Sequence, residues 1–297
     1  MLRIAVTGSS GFIGSWLCRL LEIPEERRWT RAKGASYDVG TEEGKRRIVA
    51  SCDVIVHLAG ISGIKNCEEN PKEASRVNGE VTIQLAQSAK QAGVRRFIFA
   101  STSAVYGESQ ASVIDENHPV NPKTLYGKTK LQGETVLSLA DRKFEVIVLR
   151  KSNIYGKGLF SKGTNAVDNL LERYLGRQAM ELTGDGTQKR DFVHLTDVAR
   201  VYARLAQAPD QGEGGIFNLG GPEEISIGNL AEKINEIGNR LFDYRVPIKR
   251  SGEKSGVSWS NVRFDWSKAR RVLGYEPLFG LEDYIKERLL EEIRSRR

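Results

Sequence analysis

With 297 residues, 39% of them hydrophobic and 28% charged, the chain has the composition of a soluble globular protein of one or two domains, which excludes an intrinsically disordered chain. Its formal charge of +7 is spread among acidic residues, which argues against a nucleic-acid partner, and its three scattered cysteines indicate neither a metal site nor a disulfide framework. No apolar run approaches the ~20 residues of a membrane helix and no signal peptide is recognisable, so we expect a cytoplasmic protein without a membrane partner.

A glycine-rich loop follows the first predicted strand. Residues 2–6 form a short apolar run, and the sequence TGSSGFIG then places Gly8, Gly11 and Gly14 before a helical pattern. Glycines permit a tight turn and let the backbone approach a pyrophosphate, which the free N–H groups of a helix N-terminus stabilise. A glycine trio alone is a weak signal, but between a strand and a helix it predicts a dinucleotide-binding loop.

The next segment departs from the usual dinucleotide pattern. Residues 28–31 predict only a poor second strand, and residues 37–39 are interpreted as the end of a third, with Asp38 placed to contact the adenine. An NAD site normally has an acidic residue near the end of its second strand, where it binds the ribose hydroxyls. No acidic residue occurs at the end of the strand predicted over residues 28–31. Either Arg31 and Lys33 hold the 2′-phosphate of NADP, since a guanidinium suits a phosphate, or both are solvated loop cations.

Residues 53–60 predict a fourth strand, apolar on both faces as in a central parallel strand. Its end at Ala59 and Gly60 would let the chain pass close to a cofactor. His57 lies inside the apolar run, so a hydrogen-bonded core histidine is favoured over a catalytic one.

Strands and helices then alternate. Residues 73–91 predict a helix in which Asn78 interrupts the buried side, where it would touch the cofactor or an adjacent loop. Residues 97–100 and 144–150 predict two further buried strands. This alternation predicts an α/β fold with a doubly wound parallel sheet, in which ligands bind at the carboxyl ends of the strands.

A candidate reactive centre follows the strand at 97–100. Thr102 and Ser103 lie at the carboxyl end of that strand, and Tyr126 and Lys130 are four residues apart in a predicted helix. Residues at this spacing share one helix face. A phenol beside an ammonium, facing hydroxyls at a strand end, can serve as an acid/base device.

The second half of the chain has a different pattern. Beyond Gly158, short strands and helices follow one another without regular alternation. We therefore predict a Rossmann-type dinucleotide-binding domain over residues 1–153, with 191–218 returning to it, and a smaller mixed α/β substrate-binding domain over 154–190 and 219–297.

Seven motifs occur in an order and spacing that span nearly the whole chain. They are TGSSGFIG at 7–14, HLAG at 57–60, STSAVYG at 101–107, YGKTK at 126–130, LRKSNIYG at 149–156, GDGTQKRDFVH at 184–194 and FDWSKARRVLGYEP at 264–277. In these motifs the chain resembles the extended short-chain dehydrogenase/reductase family, in its NAD-dependent nucleotide-sugar epimerase/dehydratase branch and of the UDP-glucose/galactose 4-epimerase type.

The resemblance implies roles for individual residues. Tyr126 would be the catalytic base and acid, Lys130 its partner and a ligand of the nicotinamide ribose, and Thr102, with Ser103 beside it, the hydroxyl that assists. A phenol has a free pKa of ~10, and the ammonium together with a positive nicotinamide ring would lower it.

The candidate binding residues come from the residue patterns and the resemblance together. For the cofactor, which is NAD or NADP, they are Gly8, Gly11, Phe12, Ile13, Gly14, Arg31, Asp38, Val39, Leu58, Ala59, Gly60, Asn78, Tyr126 and Lys130. For a nucleotide-diphosphate sugar, most simply a UDP-sugar, they are Thr102, Ser103, Tyr126, Asn153, Arg190 and Arg250, the last beside a loop that matches the family poorly. The family also implies a homodimer formed by the helix after Glu80 and the helix from Tyr126.

Several activities compete within this family. A 4,6-dehydratase needs an acid beside the catalytic threonine, where this chain has Ser103 and Ala104, so dehydration is set aside. A 4-epimerase acting through a 4-keto intermediate is favoured, and a keto-sugar reductase using NADPH, which would fit Arg31 and Lys33, is the alternative. A nicotinamide-binding regulatory protein without turnover would be expected to have a broken reactive centre.

Overall fold

The computed structural model of the chain describes residues 2–31, 34–109, 111–160, 165–208, 214–252 and 263–295. The strands in these ranges are β1 (Ile4–Thr7), β2 (Arg28–Trp29), β3 (Val54–His57), β4 (Arg96–Thr102), β5 (Val113–Ile114), β6 (Glu145–Lys151), β7 (Asn153–Tyr155), β8 (Met180–Leu182), β9 (Lys189–His194), β10 (Gly215–Leu219), β11 (Glu224–Ser226), β12 (Ile248–Arg250) and β13 (Arg263–Phe264). A six-stranded sheet has the order β10-β6-β4-β3-β1-β2, and all its neighbours pair in parallel.

Helices connect these strands. They are α1 (Phe12–Leu20), α2 (Glu42–Ser51), α3 (Ile64–Glu69), α4 (Pro71–Ser75), α5 (Thr82–Gln91), α6 (Leu125–Gly133), α7 (Ala166–Leu175), α8 (Leu195–Gln207), α9 (Ile227–Phe242), α10 (Ser267–Leu273) and α11 (Leu281–Ser295). A π-helical segment, Arg76–Val81, joins α4 to α5, and a 3₁₀ segment, Glu134–Leu139, continues α6.

The large sheet is buried on both faces, as its continuous apolar strands predict. In β3, Ile55 belongs to a core with Ile48 of α2 and Leu85 of α5. Its neighbour Val56 belongs to the opposite core, with Leu17 of α1 and residues of α8. Helices on both faces of a parallel sheet confirm the doubly wound α/β fold.

The predicted third strand at residues 37–39 is wrong. Ala35–Tyr37 is a 3₁₀ turn, and in the described residues the sheet ends at β2. Only residues 30–36 separate β2 from Tyr37, whereas a parallel neighbour needs a crossover of about a dozen residues or more. The carboxyl end of β2 therefore lies at an open edge of the sheet.

The smaller part of the structure has its own core. β7, β9 and β11 form one small sheet and β8 pairs with β12, and beside them α7, α9 and α11 bury Tyr155, Tyr174 and Ile234. β10 adds to the large sheet and α8 packs against α1. α8 begins at Leu195 and is capped by His194. The domain division itself stays a prediction.

Among the described residues, no helix is both long enough and apolar enough to cross a membrane.

Candidate active site

The glycine-rich loop forms a close-packed turn between β1 and α1. Gly8 has a φ of +65°, which favours glycine, and its carbonyl accepts a hydrogen bond from the Gly11 N–H at 2.9 Å. A Cβ on Gly14 would lie 2.1 Å from that same carbonyl oxygen. α1 begins at Phe12 and has no side-chain cap at its N-terminus, so its first N–H groups can bind an anion. This cradle fits the diphosphate of a dinucleotide.

A buried threonine fixes the end of β3 beside this loop. Thr7 Oγ1 accepts hydrogen bonds from the Leu58 and Ala59 N–H groups, each at 3.1 Å, and lies 2.8 Å from His57 Nδ1. His57 Nε2 lies 3.0 Å from Thr82 Oγ1. With both ring nitrogens engaged and the side chain buried, His57 is a structural residue, in agreement with the sequence interpretation.

Replacing His57 with glutamine should change how stability depends on pH. Burial, together with the Lys130 charge, lowers the pKa of His57 to about 3, against ~6.5 in an unfolded chain. Between these values the unfolded chain binds a proton that the folded protein excludes, so wild-type stability falls as the pH falls. We expect it to lose up to ~1.4 kcal/mol more per pH unit than His57→Gln between pH 6 and 4.5, in urea unfolding. Parallel curves would contradict this.

The helix α6 presents Tyr126 and Lys130 on one face. Thr124 Oγ1 accepts a hydrogen bond from the Gly127 N–H at 3.1 Å and so fixes the start of the helix. Lys130 is buried, with its Nζ 4.9 Å from the centre of the Phe99 ring. Burial lowers the pKa of Lys130 to about 8, so the amine still carries most of its charge at neutral pH.

The Tyr126 hydroxyl lies near the side chains of Ser62 and Thr102. Burial raises the pKa of Tyr126, and hydrogen bonding from these two side chains acts to lower it. Thr102 is itself buried at the end of β4, and Ser103 follows it in a short 3₁₀ turn. The structure therefore places the predicted phenol near the predicted hydroxyl, and it adds Ser62, which no sequence pattern indicated.

A buried ion pair lies behind this strand end. Arg150 NH2 lies 2.6 Å from Glu134 Oε2, and Ser101 Oγ donates a hydrogen bond to Glu134 Oε1 at 2.5 Å. Because Ser101 precedes Thr102, the pair helps to fix the position of the reactive hydroxyl. The sequence analysis missed it, although an arginine at the end of an apolar strand was an available signal.

A second buried amine lies beneath the site. Lys151 Nζ donates a hydrogen bond to the Ser101 carbonyl and lies 3.5 Å from the Tyr202 hydroxyl. Burial and the charge of Lys130 lower the pKa of Lys151 well below its ordinary value. Within the described part of the chain no carboxylate lies at ion-pair distance from this amine.

Asn78 holds the loop that follows β3. Its Oδ1 accepts a hydrogen bond from the Ile61 N–H at 2.9 Å, and its Nδ2 donates to the Ile61 carbonyl at 2.9 Å and to Thr129 Oγ1 at 3.1 Å. A Cβ on Gly60 would lie 2.7 Å from Asn78 Oδ1 and 3.1 Å from Lys130 Nζ. The residue thus contacts the adjacent loop, and a direct contact with the cofactor stays a prediction.

At the other end of the glycine loop, Arg31 lies in a network of charges. Its Nε donates to Asp38 Oδ2 at 3.0 Å, and its NH2 donates to Glu73, which is also bound by Arg76 at 2.7 Å. Val39, next to Asp38, is buried. Lys33 lies outside the described residues. A role for Arg31 in binding a 2′-phosphate stays a prediction.

The other three predicted substrate residues lie in the small sheets. Asn153 of β7 donates through Nδ2 to the Asp191 carbonyl at 3.0 Å, which ties it to β9, the strand that carries Arg190. Burial lowers the pKa of Arg190. Arg250 of β12 donates through Nε to the Asp185 carbonyl at 3.0 Å, in the turn that leads towards β9.

No group of three His, Cys, Asp or Glu side chains among the described residues could hold a metal ion.

Comparisons with known proteins agree with this architecture. The model of the NAD dependent epimerase/dehydratase family matches residues 4–220. A putative UDP-glucose 4-epimerase of Methanocaldococcus jannaschii is 32% identical over 95% of this chain and 96% of its own. The solved structure of MoeE5 in complex with UDP-glucose and NAD superposes with a TM-score of 0.83 at 27% identity, covering 99% of each chain.

A second solved structure, the UDP-glucuronic acid 4-epimerase of Bacillus cereus with UDP-glucuronic acid and NAD, has a TM-score of 0.80 at 26% identity, again over 99% of each chain. The family match covers well over half of the chain and begins in β1, just before the glycine loop. The resemblance inferred from the motifs is confirmed, and with it the nicotinamide dinucleotide cofactor. The chain belongs to the NAD-dependent epimerase/dehydratase family, within the extended short-chain dehydrogenases/reductases.

Proposed function

We propose that the protein is a nucleotide-sugar 4-epimerase, which interconverts C4 epimers of a UDP-sugar of the UDP-glucose/UDP-galactose type. The observation that carries the proposal is the placement of Tyr126 near Thr102, with the buried Lys130 on the same face of α6. These groups lie at the carboxyl edge of the sheet, where ligands bind in open α/β folds. The relatives that share the fold over their whole length support the reaction class.

The chemistry follows from the three side chains. When bound, the nicotinamide cofactor accepts a hydride from the sugar carbon and later returns it. The Tyr126 oxygen takes the proton of the 4-hydroxyl, and Thr102 hydrogen-bonds the same oxygen as charge develops on it. Burial raises the Tyr126 pKa, and the ammonium of Lys130 on the same helix face would act in the opposite direction by favouring the phenolate. Once the 4-keto sugar has turned its other face towards the site, Tyr126 would return the proton to the same oxygen.

The neighbouring residues fit this reaction better than dehydration. Ala104 is buried in the 3₁₀ turn after Thr102 and supplies no carboxyl group to protonate a departing 6-hydroxyl. Asn153, Arg190 and Arg250 would bind the nucleotide diphosphate, because guanidinium groups suit phosphate oxygens. A homodimer through α5 and α6, and a cytoplasmic location, stay predictions.

We propose NAD as the cofactor, since the solved structures with the same fold hold NAD. An epimerase retains its cofactor between the two half-reactions, whereas a keto-sugar reductase exchanges NADPH at every turnover. The nucleotide released from the purified protein therefore distinguishes the two activities.

The test combines this release with turnover. Purified protein is denatured and its nucleotide identified, and native protein is incubated with UDP-glucose or UDP-glucuronic acid without added cofactor. We expect close to one NAD per chain and a mixture of C4 epimers of at least one sugar. A purified protein that contains no bound nucleotide, and that oxidises added NADPH when given a 4-keto sugar, would be a keto-sugar reductase instead.

A further inference from the structure

Four charged side chains form a network of ion pairs at the edge of the sheet next to β2. They are Arg31, Asp38, Glu73 and Arg76. Glu73 at the start of α4 pairs through both carboxylate oxygens, with Arg31 on one side and with Arg76 at 2.7 and 2.8 Å on the other. Asp38 binds the remaining edge of Arg31 at 3.0 Å. The hydrogen bonds from Arg76 and Arg31 lower the pKa of Glu73 to about 2, so this carboxylate is charged at any working pH.

The network stands where dinucleotide sites distinguish their cofactors. The residue just after the second strand meets the 2′-position of the adenosine ribose, where an acid binds the hydroxyl of NAD and an arginine binds the phosphate of NADP. Here β2 ends at Trp29, and Thr30 follows with its Oγ1 3.0 Å from Ser10 Oγ of the glycine loop. Arg31 is the next residue, so the one described cation that could reach a 2′-phosphate from this strand end is the one paired with Asp38 and Glu73.

The charges of the network add to zero, with two guanidinium groups against two carboxylates. A 2′-phosphate carries a charge of about −1.5 to −2. It would have to draw Arg31 from both acidic partners and then lie beside those carboxylates. A 2′-hydroxyl carries no charge and finds hydrogen-bonding partners in the hydroxyls of Ser10 and Thr30.

We propose that Glu73 is the residue that sets cofactor choice in this protein, by holding Arg31 away from the 2′-position so that NAD binds and NADP is disfavoured. The inference rests on the nicotinamide site of the proposed function and adds to it a specificity residue from a helix distant in sequence. Discrimination then comes from the repulsion of a wrong ligand as well as from contacts with the right one.

Glu73 is a better residue than Asp38 to replace in a test of this proposal. Asp38 Oδ1 accepts a hydrogen bond from the Gly40 N–H at 2.8 Å. Its removal would therefore disturb the turn before α2. Among the described residues, the Glu73 side chain hydrogen-bonds only to the two arginines, so we expect its loss to leave the backbone of the site unchanged.

The experiment measures the dissociation constants of NAD⁺ and NADP⁺ by calorimetry on protein stripped of nucleotide. The variants are Glu73→Ala, Glu73→Gln, Arg31→Ala and the double variant Glu73→Ala/Arg31→Ala. Glu69→Ala is the matched control, since it removes the same charge from the neighbouring helix α3, where Glu69 pairs with Lys65 at 3.8 Å. Thermal unfolding of each variant checks the fold, and Glu73→Gln replaces Glu73→Ala if the latter is unstable.

We expect the wild type to bind NAD⁺ at least about tenfold more tightly than NADP⁺. Glu73→Ala should tighten NADP⁺ binding by about tenfold and change NAD⁺ binding by less than about threefold, because a released guanidinium binds the phosphate. The double variant Glu73→Ala/Arg31→Ala should lose this gain in NADP⁺ affinity, and Glu69→Ala should leave NADP⁺ affinity unchanged.

Equal binding of the two cofactors by the wild type would overturn the inference, as would a Glu73→Ala variant that changes both affinities alike or neither. The result is independent of turnover. A gain in NADP⁺ affinity in a protein that epimerises no sugar would support the inference and contradict the proposed function, whereas a protein that binds neither dinucleotide would overturn both.

Discussion

Replacing Tyr126 with phenylalanine should lower kcat for epimerisation by about 10²–10⁴-fold, the usual contribution of a positioned acid or base. The substitution removes the hydroxyl near Thr102 and Ser62 and leaves the ring in place. It should therefore leave the cofactor content and the thermal unfolding midpoint close to those of the wild type. Initial rates with the UDP-sugar that the wild type epimerises measure the effect.

Tyr244→Phe is the matched control. It removes a phenol hydroxyl that donates to the Tyr174 carbonyl at 3.2 Å in the small core, away from the sheet edge. Its kcat should stay within about threefold of the wild type. A Tyr126→Phe variant that keeps its cofactor and more than a tenth of the wild-type rate would exclude Tyr126 as the base.

Replacing Gly14 with alanine should release the cofactor. The added Cβ would lie 2.1 Å from the Gly8 carbonyl oxygen and 3.0 Å from the Ser9 Cα, both backbone atoms that cannot rotate away. The loop must therefore move, and with it the N–H groups at the start of α1 that would bind the diphosphate. We expect the affinity for NAD to fall at least about 100-fold, and the free energy of unfolding to fall by about 1–3 kcal/mol, as for other overpacked sites.

Gly280→Ala serves as the control for this substitution. A Cβ on Gly280 would meet its nearest atom, Asp283 Oδ2, at 3.9 Å, which is ordinary contact. NAD titration and urea unfolding of both variants give the comparison. Wild-type NAD affinity in Gly14→Ala would show that the loop does not bind the diphosphate.

The parts of the site that depend on local sequence were predictable. The glycine spacing determines a turn of the chain on itself, and the i, i+4 spacing of Tyr126 and Lys130 determines a shared helix face. The buried parallel strands were equally clear, because apolar runs such as 53–58 leave no polar face for water.

The parts that depend on distant contacts were not predictable. Arg31 and Glu73 are 42 residues apart, and Glu134 and Arg150 are 16 apart, so neither pair leaves a spacing signal. The burial that raises the pKa of Tyr126 was not predictable either, because the sequence shows a neighbouring charge but not the depth of burial. The prediction of a third strand at residues 37–39 was wrong for a different reason. Its residues suit a strand, but the connection from β2 is too short for a parallel neighbour.

The most direct test of the proposed function follows the hydrogen at C4. UDP-glucose carrying deuterium at C4 is incubated with the purified protein in ordinary water, without added cofactor, and the product is analysed by NMR. We expect UDP-galactose with the deuterium retained at C4 and no hydrogen from solvent, because the bound cofactor takes and returns the same hydride. Loss of the deuterium to solvent or to free cofactor, or the absence of any C4 epimer, would contradict an epimerase that works through Tyr126, Thr102 and Lys130.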